Sequence, residues 1–200
     1  MPANIIIFQK NKITFVGNLI MKTQKTKIRQ EIRQKLSLLT EIEKKHQSAK
    51  IWQKMETLPA FQTANTVLLY WSLPDEVDTH DFIEKWSKNK TILLPVVTGD
   101  DLILRKYSGL SCLRVGAFNI CAPVEGEEFT DFSVIDLCIV PAVAFDSQGN
   151  RLGKGKGFYD RLLSRISATK VGVCFDVQLI ENIPHENWDI KMDLILSFQK

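Results

Sequence analysis

Three consecutive stretches determine the predicted fold: Ile135-Asp-Leu-Cys-Ile-Val140, Arg151-Leu-Gly-Lys-Gly-Lys-Gly-Phe-Tyr-Asp160 and Val171-Gly-Val-Cys-Phe175. The first and the third are apolar almost throughout and have the length of buried strands. The second predicts a glycine-rich turn that leads into a helix over residues 157–168. A strand, a helix and another apolar strand in this order predict a β–α–β unit with parallel strands.

The same alternation extends over the rest of the chain. Apolar residues at helical spacing predict a helix over residues 26–39, and a capping box formed by Thr40 and Glu43 predicts a second helix that ends near Thr57. Further predicted elements are strands over 66–71, 91–97, 102–107 and 194–198, a short helix capped at Asp78 or Thr79, and irregular loops over 108–133 and 142–156. We therefore predict an α/β fold: a single domain with a mostly parallel sheet flanked by helices on both faces, a Rossmann-like three-layer sandwich.

The composition is that of a globular protein with one sizeable core, since 44% of the 200 residues are hydrophobic and 24% are charged. A net charge of +3 gives no reason to expect a nucleic-acid partner, although it suits an anionic small molecule. No apolar run has the length of a membrane span, so no membrane partner is expected. The four cysteines include no C-x-x-C pair, which argues against a zinc site and favours a cytoplasmic protein in which Cys138 and Cys174 are buried thiols.

Residues 1–21 interrupt this pattern. Their apolar runs at 5–8 and 13–16 are separated by polar residues, and neither run can span a bilayer or serve as a secretory signal. Because Met21 followed by Lys22 has the features of a natural start, we interpret residues 1–21 as an extension or a mis-assigned start. The alternative is a strand that pairs with a sheet edge or with a partner. Residues 22–200 are expected to form the single domain.

The glycine run at 153–157 has the chemistry of a phosphate site. Glycine has no Cβ, so its backbone N–H groups can approach a phosphate closely and its φ can be positive. Lys154 and Lys156 add positive charge, and a helix that starts near Phe158 directs its N-terminal dipole at the same anion. Asp160 is then placed to hold a magnesium ion that accompanies the phosphate. The alternative is a solvated surface turn between a strand and a helix.

Four sequence elements occur in a specific order around this run. The longest is Phe145-Asp-x-x-Gly149-Asn-Arg151-Leu-Gly-Lys-Gly-Lys-Gly-Phe-Tyr-Asp160, and the shorter ones are Lys25-x-x-x-Arg29, Asp75-Glu76-Val77-Asp78-Thr79 and Asp189-x-x-x-Asp193. Each short element is weak alone, but all four in this order are specific. Over most of residues 22–198 the chain resembles the 5-formyltetrahydrofolate cyclo-ligase family, also called methenyltetrahydrofolate synthetases.

The resemblance implies an enzyme that converts 5-formyltetrahydrofolate (folinate) to 5,10-methenyltetrahydrofolate, with ATP as co-substrate and Mg²⁺ as cofactor. In such an enzyme the formyl oxygen attacks the γ-phosphate of ATP, N10 of the folate attacks the formyl carbon, and phosphate leaves. Phosphorylation is needed because an amide oxygen is a poor leaving group. Folinate and ATP are therefore the expected partners, and we expect a monomer.

The resemblance also assigns residues to these ligands. The expected ATP site comprises Lys25, Arg29, Arg151, Leu152, Gly153, Lys154, Gly155, Lys156, Gly157, Phe158 and Tyr159. The expected folate site comprises Trp71, Glu76, Lys154, Gly155, Lys156, Gly157 and Phe158, with Phe118-Asn119-Ile120 as a further candidate wall. The expected magnesium ligands are Asp160 and Asp193, supported by Asp189.

Several of these residues have an alternative structural role. Lys25 and Arg29 lie one helical turn apart, which is also the pattern of an exposed basic helix face. Trp71 fits a hydrophobic core as well as a folate site, and Asp160 can simply complement a helix dipole.

Two positions depart from the family pattern: Phe158 stands where many relatives have Tyr, and Trp188 stands where relatives often have His. Competing hypotheses are a different enzyme on the same fold, such as a sugar-phosphate isomerase or a coenzyme A transferase, and a folate- or nucleotide-binding module without turnover. Fold type alone does not separate these hypotheses.

Overall fold

The computed structural model describes residues 3–199, with the backbone alone for residues 3–18. Its helices are α1 (Ala3–Ser37), α2 (Glu41–Thr57), α3 (Pro59–Thr63), α4 (His80–Trp86) and α5 (Phe158–Leu163). Its strands are β1 (Thr66–Leu68), β2 (Thr91–Thr98), β3 (Asp101–Lys106), β4 (Leu113–Val115), β5 (Cys121–Pro123), β6 (Leu137–Val140), β7 (Ala144–Asp146), β8 (Arg151–Leu152), β9 (Thr169–Val173), β10 (Leu179–Ile180) and β11 (Leu194–Leu196). Short 3₁₀ turns lie at Leu110–Cys112, Ala117–Asn119, Phe132–Val134 and Asp176–Gln178.

Within residues 3–199, six strands form the central sheet in the order β11–β9–β6–β1–β2–β3. Neighbouring strands are parallel except β2 and β3, which form an antiparallel hairpin. The register aligns Val67 of β1 with Ile92 of β2 and with Leu137 of β6. The mostly parallel sheet that the apolar strands predict is therefore confirmed.

The sheet separates two hydrophobic cores, because successive strand residues point to opposite faces. On one face, Val67 and Ile92 belong to a core that includes buried residues of α1, α2 and α4. On the other face, Leu68 and Leu93 share a core with Leu162 of α5. Helices thus cover both faces, as the three-layer prediction requires.

The first helix is much longer than predicted. It begins at Ala3 instead of near residue 26, so the alternative of a strand in this region is wrong. No proline interrupts the chain between residues 3 and 58, and the polar residues at 9–12 are compatible with a helix. Within the described part of the chain, α1 included, every helix is too short or too polar to cross a membrane.

Two regions predicted as irregular loops contain short strands. β4 and β5 form a two-stranded antiparallel sheet, and β7 pairs with β8 and β10 in a three-stranded sheet. Strands of two or three residues are too short to show a hydrophobic period, which is why the sequence pattern does not reveal them. In contrast, α5 ends at Leu163, five residues before the predicted end of that helix.

The cysteine prediction is confirmed for the two apolar positions. Cys138 and Cys174 are fully buried free thiols. Burial raises the pKa of each thiol to about 12, so both remain protonated and unreactive near neutral pH.

The turn between β7 and β8 is organised by the buried carboxylate of Asp146. One oxygen accepts the backbone N–H groups of Gln148 and Asn150, each at 3.0 Å. The other accepts the Asn150 side-chain amide at 2.8 Å and the Ile183 backbone N–H at 3.0 Å. Burial raises the pKa of this carboxyl, but the hydrogen bonds outweigh burial and the net pKa lies below its ordinary value.

We expect Asp146→Asn to lower the free energy of unfolding by roughly 3 kcal/mol at neutral pH, because an NH₂ group replaces one carboxylate oxygen and the two buried N–H groups on that side lose their acceptor. Since the folded-state pKa is depressed, the wild-type contribution is present above the unfolded pKa of about 3.9 and is lost as pH falls through the lower folded value. Urea unfolding at several pH values measures both effects. Glu127→Gln, at an exposed carboxylate, is the control; equal stability of the two variants at pH 7 would contradict the role of Asp146.

Candidate active site

A cavity of about 510 Å³ opens at the carboxyl ends of β1 and β6. Trp71 from the segment after β1 and Pro141 from the segment after β6 line it, together with residues of the glycine loop, defined here as residues 153–157. Ligands of open α/β sheets bind at this edge, so the cavity lies where the fold predicts a site.

The glycine loop needs glycine because of its backbone conformation. Gly155 has φ +99° and Gly157 has φ +70°, which lie in the left-handed region that other residues rarely adopt. A Cβ on Gly155 would also lie 3.5 Å from Nη2 of Arg29, and a Cβ on Gly157 would lie 2.8 Å from Nη1 of Arg161. The loop backbone is therefore packed closely against cationic side chains.

The predicted basic pair on α1 reaches the site from outside the cavity. Arg29 donates from Nε to the Gly153 carbonyl at 2.9 Å, and burial lowers the pKa of Arg29. Lys25 places its Nζ 2.8 Å from a carboxylate oxygen of Asp189 and 3.6 Å from one of Glu186. Arg29 thus contacts the glycine loop, and Lys25 contacts the segment before β11. The two residues therefore do not form an exposed basic helix face.

Arg151 is held inside the cavity wall. Its Nη2 lies 2.7 Å from Oδ1 of Asp160, and its guanidinium carbon lies 5.5 Å from the centre of the Tyr159 ring. Among the described residues, its buried Nε has no hydrogen-bond partner. Arg151 thus keeps one buried donor without a partner. Burial raises the pKa of Tyr159, so this phenol stays protonated.

Glu76 connects the segment after β1 with the glycine loop. One carboxylate oxygen accepts the Leu73 backbone N–H at 3.0 Å, and the other lies 2.9 Å from Nζ of Lys154. Lys154 also lies 3.8 Å from Asp75. The Glu76 side chain is only 10% exposed and lines the cavity, so its charge is compensated at close range.

Trp71 is half-buried, so it has features of both predicted roles, a residue of the hydrophobic core and a residue of the folate site. Its ring stacks on His80 at 4.2 Å between centroids and lies 6.0 Å from the ring of Tyr107. Because it also lines the cavity, the indole is packed from within and still accessible to a planar ligand.

The wall formed by β4 and β5 is the part of the site that the sequence predicts least well. The connection between these strands carries Phe118, which has φ +57°, is 59% exposed and lines the cavity. Its ring lies 6.2 Å from that of Phe158, and Nζ of Lys156 lies 5.9 Å from its centroid. The Phe118-Asn119-Ile120 element marks Phe118 in the sequence, but Arg114 and Val124 on the same wall carry no comparable signal.

Five predicted site residues do not line the cavity: Lys25 and Arg29 approach it from α1, Gly155 belongs to the glycine loop, and Leu152 and Asp193 have other contacts. The side chain of Leu152 is buried in the core, and its carbonyl accepts the Val143 backbone N–H. Asp193 is exposed at the amino end of β11, and its carboxylate accepts the Lys170 backbone N–H at 2.7 Å. The backbone N–H of Met192 donates to the Gly149 carbonyl at 2.9 Å, so the chain just before Asp193 is held against the turn between β7 and β8.

The described residues contain no cluster of three or more His, Cys, Asp or Glu side chains that could hold a metal ion. A magnesium ion does not need one, because it takes one or two carboxylates together with phosphate oxygens and water. Asp160 lines the cavity, and Asp189 lies beside Lys25 at the glycine-loop side. Neither Asp189 nor Asp193 lines the cavity, and Asp193 is the more exposed of the two.

Three cations of the site are paired with carboxylates: Lys25 with Asp189, Arg151 with Asp160, and Lys154 with Glu76. An anion that binds these cations can replace the carboxylates, which are then available to a metal ion or to N–H donors. The arrangement is suited to a polyphosphate and a second, hydrogen-bonding ligand in one cleft.

A family model, curated relatives and solved structures all match the chain to the same enzyme family. A model of the 5-formyltetrahydrofolate cyclo-ligase family matches residues 21–197. The chain is 34% identical over 185 residues to the 5-formyltetrahydrofolate cyclo-ligase of Haemophilus influenzae, covering 88% of this chain and 99% of that protein. The NMR structure of Aquifex aeolicus 5,10-methenyltetrahydrofolate synthetase has a TM-score of 0.80 at 38% identity, covering 88% of this chain and 90% of that one. The 5,10-methenyltetrahydrofolate synthetase structure from Mycoplasma pneumoniae has a TM-score of 0.71 at 29% identity, covering 87% of this chain and 98% of that one.

We expect Arg29→Lys to weaken ATP binding about tenfold, because lysine keeps the charge but loses the planar donor group that contacts the glycine loop. Isothermal titration calorimetry with ATP, and with tripolyphosphate as a probe of the phosphate contacts alone, measures this loss. Arg33→Lys, one turn further along α1 at an exposed position, is the matched control. The same affinity in both variants would argue against a role of Arg29 in phosphate binding.

Proposed function

Because the chain belongs to the 5-formyltetrahydrofolate cyclo-ligase family, we propose that its cleft converts 5-formyltetrahydrofolate to 5,10-methenyltetrahydrofolate and consumes ATP to ADP and phosphate. The protein is thus an enzyme of folate one-carbon metabolism, a ligase that closes a C–N bond. ATP is its co-substrate.

The observation that supports this proposal most directly is the ion pair between Lys154 and Glu76, with Nζ and Oε1 2.9 Å apart. It joins the loop proposed to hold the ATP phosphates to the segment proposed to hold the pterin. Transfer of a phosphoryl group to the formyl oxygen requires the two ligands to lie within reach of each other. A sugar-phosphate isomerase or a coenzyme A transferase has no need of such a juxtaposition.

On the folate side, we assign the recognition of the pterin to Glu76. Its carboxylate can accept two parallel N–H donors from the pterin ring once Lys154 is withdrawn. Trp71 offers an indole face for the ring system. Together these contacts orient the N5-formyl group toward the glycine loop.

On the nucleotide side, the backbone N–H groups of the glycine loop and the side chains of Lys154, Lys156 and Arg151 are proposed to hold the phosphates. Their positive charge stabilises the charge that develops on the transferred phosphoryl group. The formyl oxygen attacks the γ-phosphorus and ADP leaves. N10 then attacks the formyl carbon and loses its proton, and phosphate departs with the former formyl oxygen.

We propose that Mg²⁺ accompanies the nucleotide, with Asp160 and Asp189 as ligands in place of the predicted pair of Asp160 and Asp193. Within the described residues, Oδ1 of Asp160 is bonded to Arg151 and Oδ2 carries no hydrogen bond, so a carboxylate oxygen is available. When bound, the ion would neutralise charge on the phosphate oxygens.

Three further properties of the protein remain predictions. They are a monomeric state, a cytoplasmic location and the division of the chain into an extension over 1–21 and a catalytic domain over 22–200. The location is supported by the free thiols of the described cysteines, which fit a reducing compartment.

The proposed activity is tested with purified protein, 5-formyltetrahydrofolate, ATP and Mg²⁺, by the absorbance of the methenyl product. We expect product formation that stops when ATP is omitted and when EDTA removes the metal. A folded protein that binds both ligands but yields no product would be a binding module, and the proposed enzyme activity would be refuted.

In the same assay, Lys156→Ala should reduce kcat/KM on the order of 100-fold, because one cation near the transferred phosphoryl group is lost. Lys156 is exposed, so its free energy of unfolding should change by less than about 0.5 kcal/mol. Lys88→Ala, at an exposed position outside the cavity, is the control and should leave both quantities unchanged. A loss of activity that merely parallels a loss of stability would contradict a direct role.

A further inference from the structure

We propose that Arg114 binds a carboxylate of the glutamate tail of the folate and thereby determines how tightly the glutamylated substrate is bound. This inference rests on the proposed function, because it takes the cavity to be the folate site. Arg114 lies on β4 and lines the cavity. None of the four sequence elements that carry the family resemblance contains it.

The guanidinium of Arg114 is anchored on one side. Its Nη1 donates to the carbonyl of Ser111 and to that of Leu113, each at 2.8 Å. Within the described residues, Nε and Nη2 make no hydrogen bond. These two nitrogens form one edge of the guanidinium fork, which is the edge that binds a carboxylate through two parallel hydrogen bonds.

Among the described cations that line the cavity, Arg151 and Lys154 have carboxylate partners, whereas Arg114 and Lys156 have none. Arg151 is paired with Asp160, and Lys154 is paired with Glu76. Lys156 belongs to the glycine loop and lies over the ring of Phe118. Among the described residues, Arg114 has no carboxylate within ion-pair distance, so it is available to a carboxylate from a ligand.

The surroundings of Arg114 fit the part of folate that precedes the glutamate. Phe118, Ile120 and Val124 line the cavity on the same wall, with Val97 from β2. This is an apolar surface suited to the p-aminobenzoyl ring. A folate molecule combines a polar pterin, an apolar ring and a carboxylate, and the lining of the cavity includes Glu76, this apolar wall and Arg114.

The test compares two ligands that differ only in the glutamate: 5-formyltetrahydrofolate and 5-formyltetrahydropteroate, which lacks it. For the glutamylated substrate, Arg114→Ala should raise KM and the dissociation constant roughly 10- to 100-fold, with kcat and the KM for ATP nearly unchanged. For the pteroate, wild type and Arg114→Ala should bind equally. Arg114→Lys should recover part of the affinity, and Arg33→Ala at an exposed site is the control for loss of an arginine.

Equal losses for the two ligands, or no loss for either, would overturn the assignment of Arg114. Binding is measured by calorimetry as well as by turnover, so the two proposals can fail separately. Absence of turnover in the wild type would refute the proposed reaction, whereas the comparison of the two ligands in the binding experiment would still decide the role of Arg114.

Discussion

The buried carboxylate of Asp146 is the constraint on which the site depends. Its hydrogen bonds shape the turn from residue 146 to Asn150 and also hold the backbone of Ile183. The same turn contains Gly149, where a Cβ would lie 2.5 Å from the carbonyl oxygen of Met192. The turn is thereby bonded to the segment from Ile183 to Met192. Strand β8 begins directly after this turn with Arg151, which lines the cavity. The position of the glycine loop follows from this local geometry more than from the central sheet.

Charge pairing is the second organising principle. A cleft with several uncompensated cations would be unfavourable in a partly buried site, and this chain compensates each of Lys25, Arg151 and Lys154 with a nearby carboxylate. Phosphate binding to Lys154 would release Glu76 for the pterin, so the two ligands would favour each other's binding. Such coupling is reciprocal by thermodynamic necessity.

The sequence predicts the parts of the structure that depend on local patterns. Three such features can be predicted because their physical causes lie within a few residues of each other: the apolar strands, the capping box at Thr40 and the glycine loop. The pairing of Lys154 with Glu76 joins residues 78 positions apart, and no local pattern reveals it. The two aspartates of the Asp189-x-x-x-Asp193 element show the same limit: their spacing does not reveal that Asp189 pairs with Lys25 of α1 whereas Asp193 accepts the Lys170 backbone N–H.

We propose that the formyl group of the folate and the γ-phosphate of ATP meet in one cleft and react directly. This proposal is tested by turnover of 5-formyltetrahydrofolate that carries ¹⁸O in the formyl group, followed by mass spectrometry of the inorganic phosphate. The account predicts that the label appears in the phosphate, one atom for each methenyl product formed. Unlabelled phosphate with normal product formation would contradict it, because the formyl oxygen would then leave without having been phosphorylated.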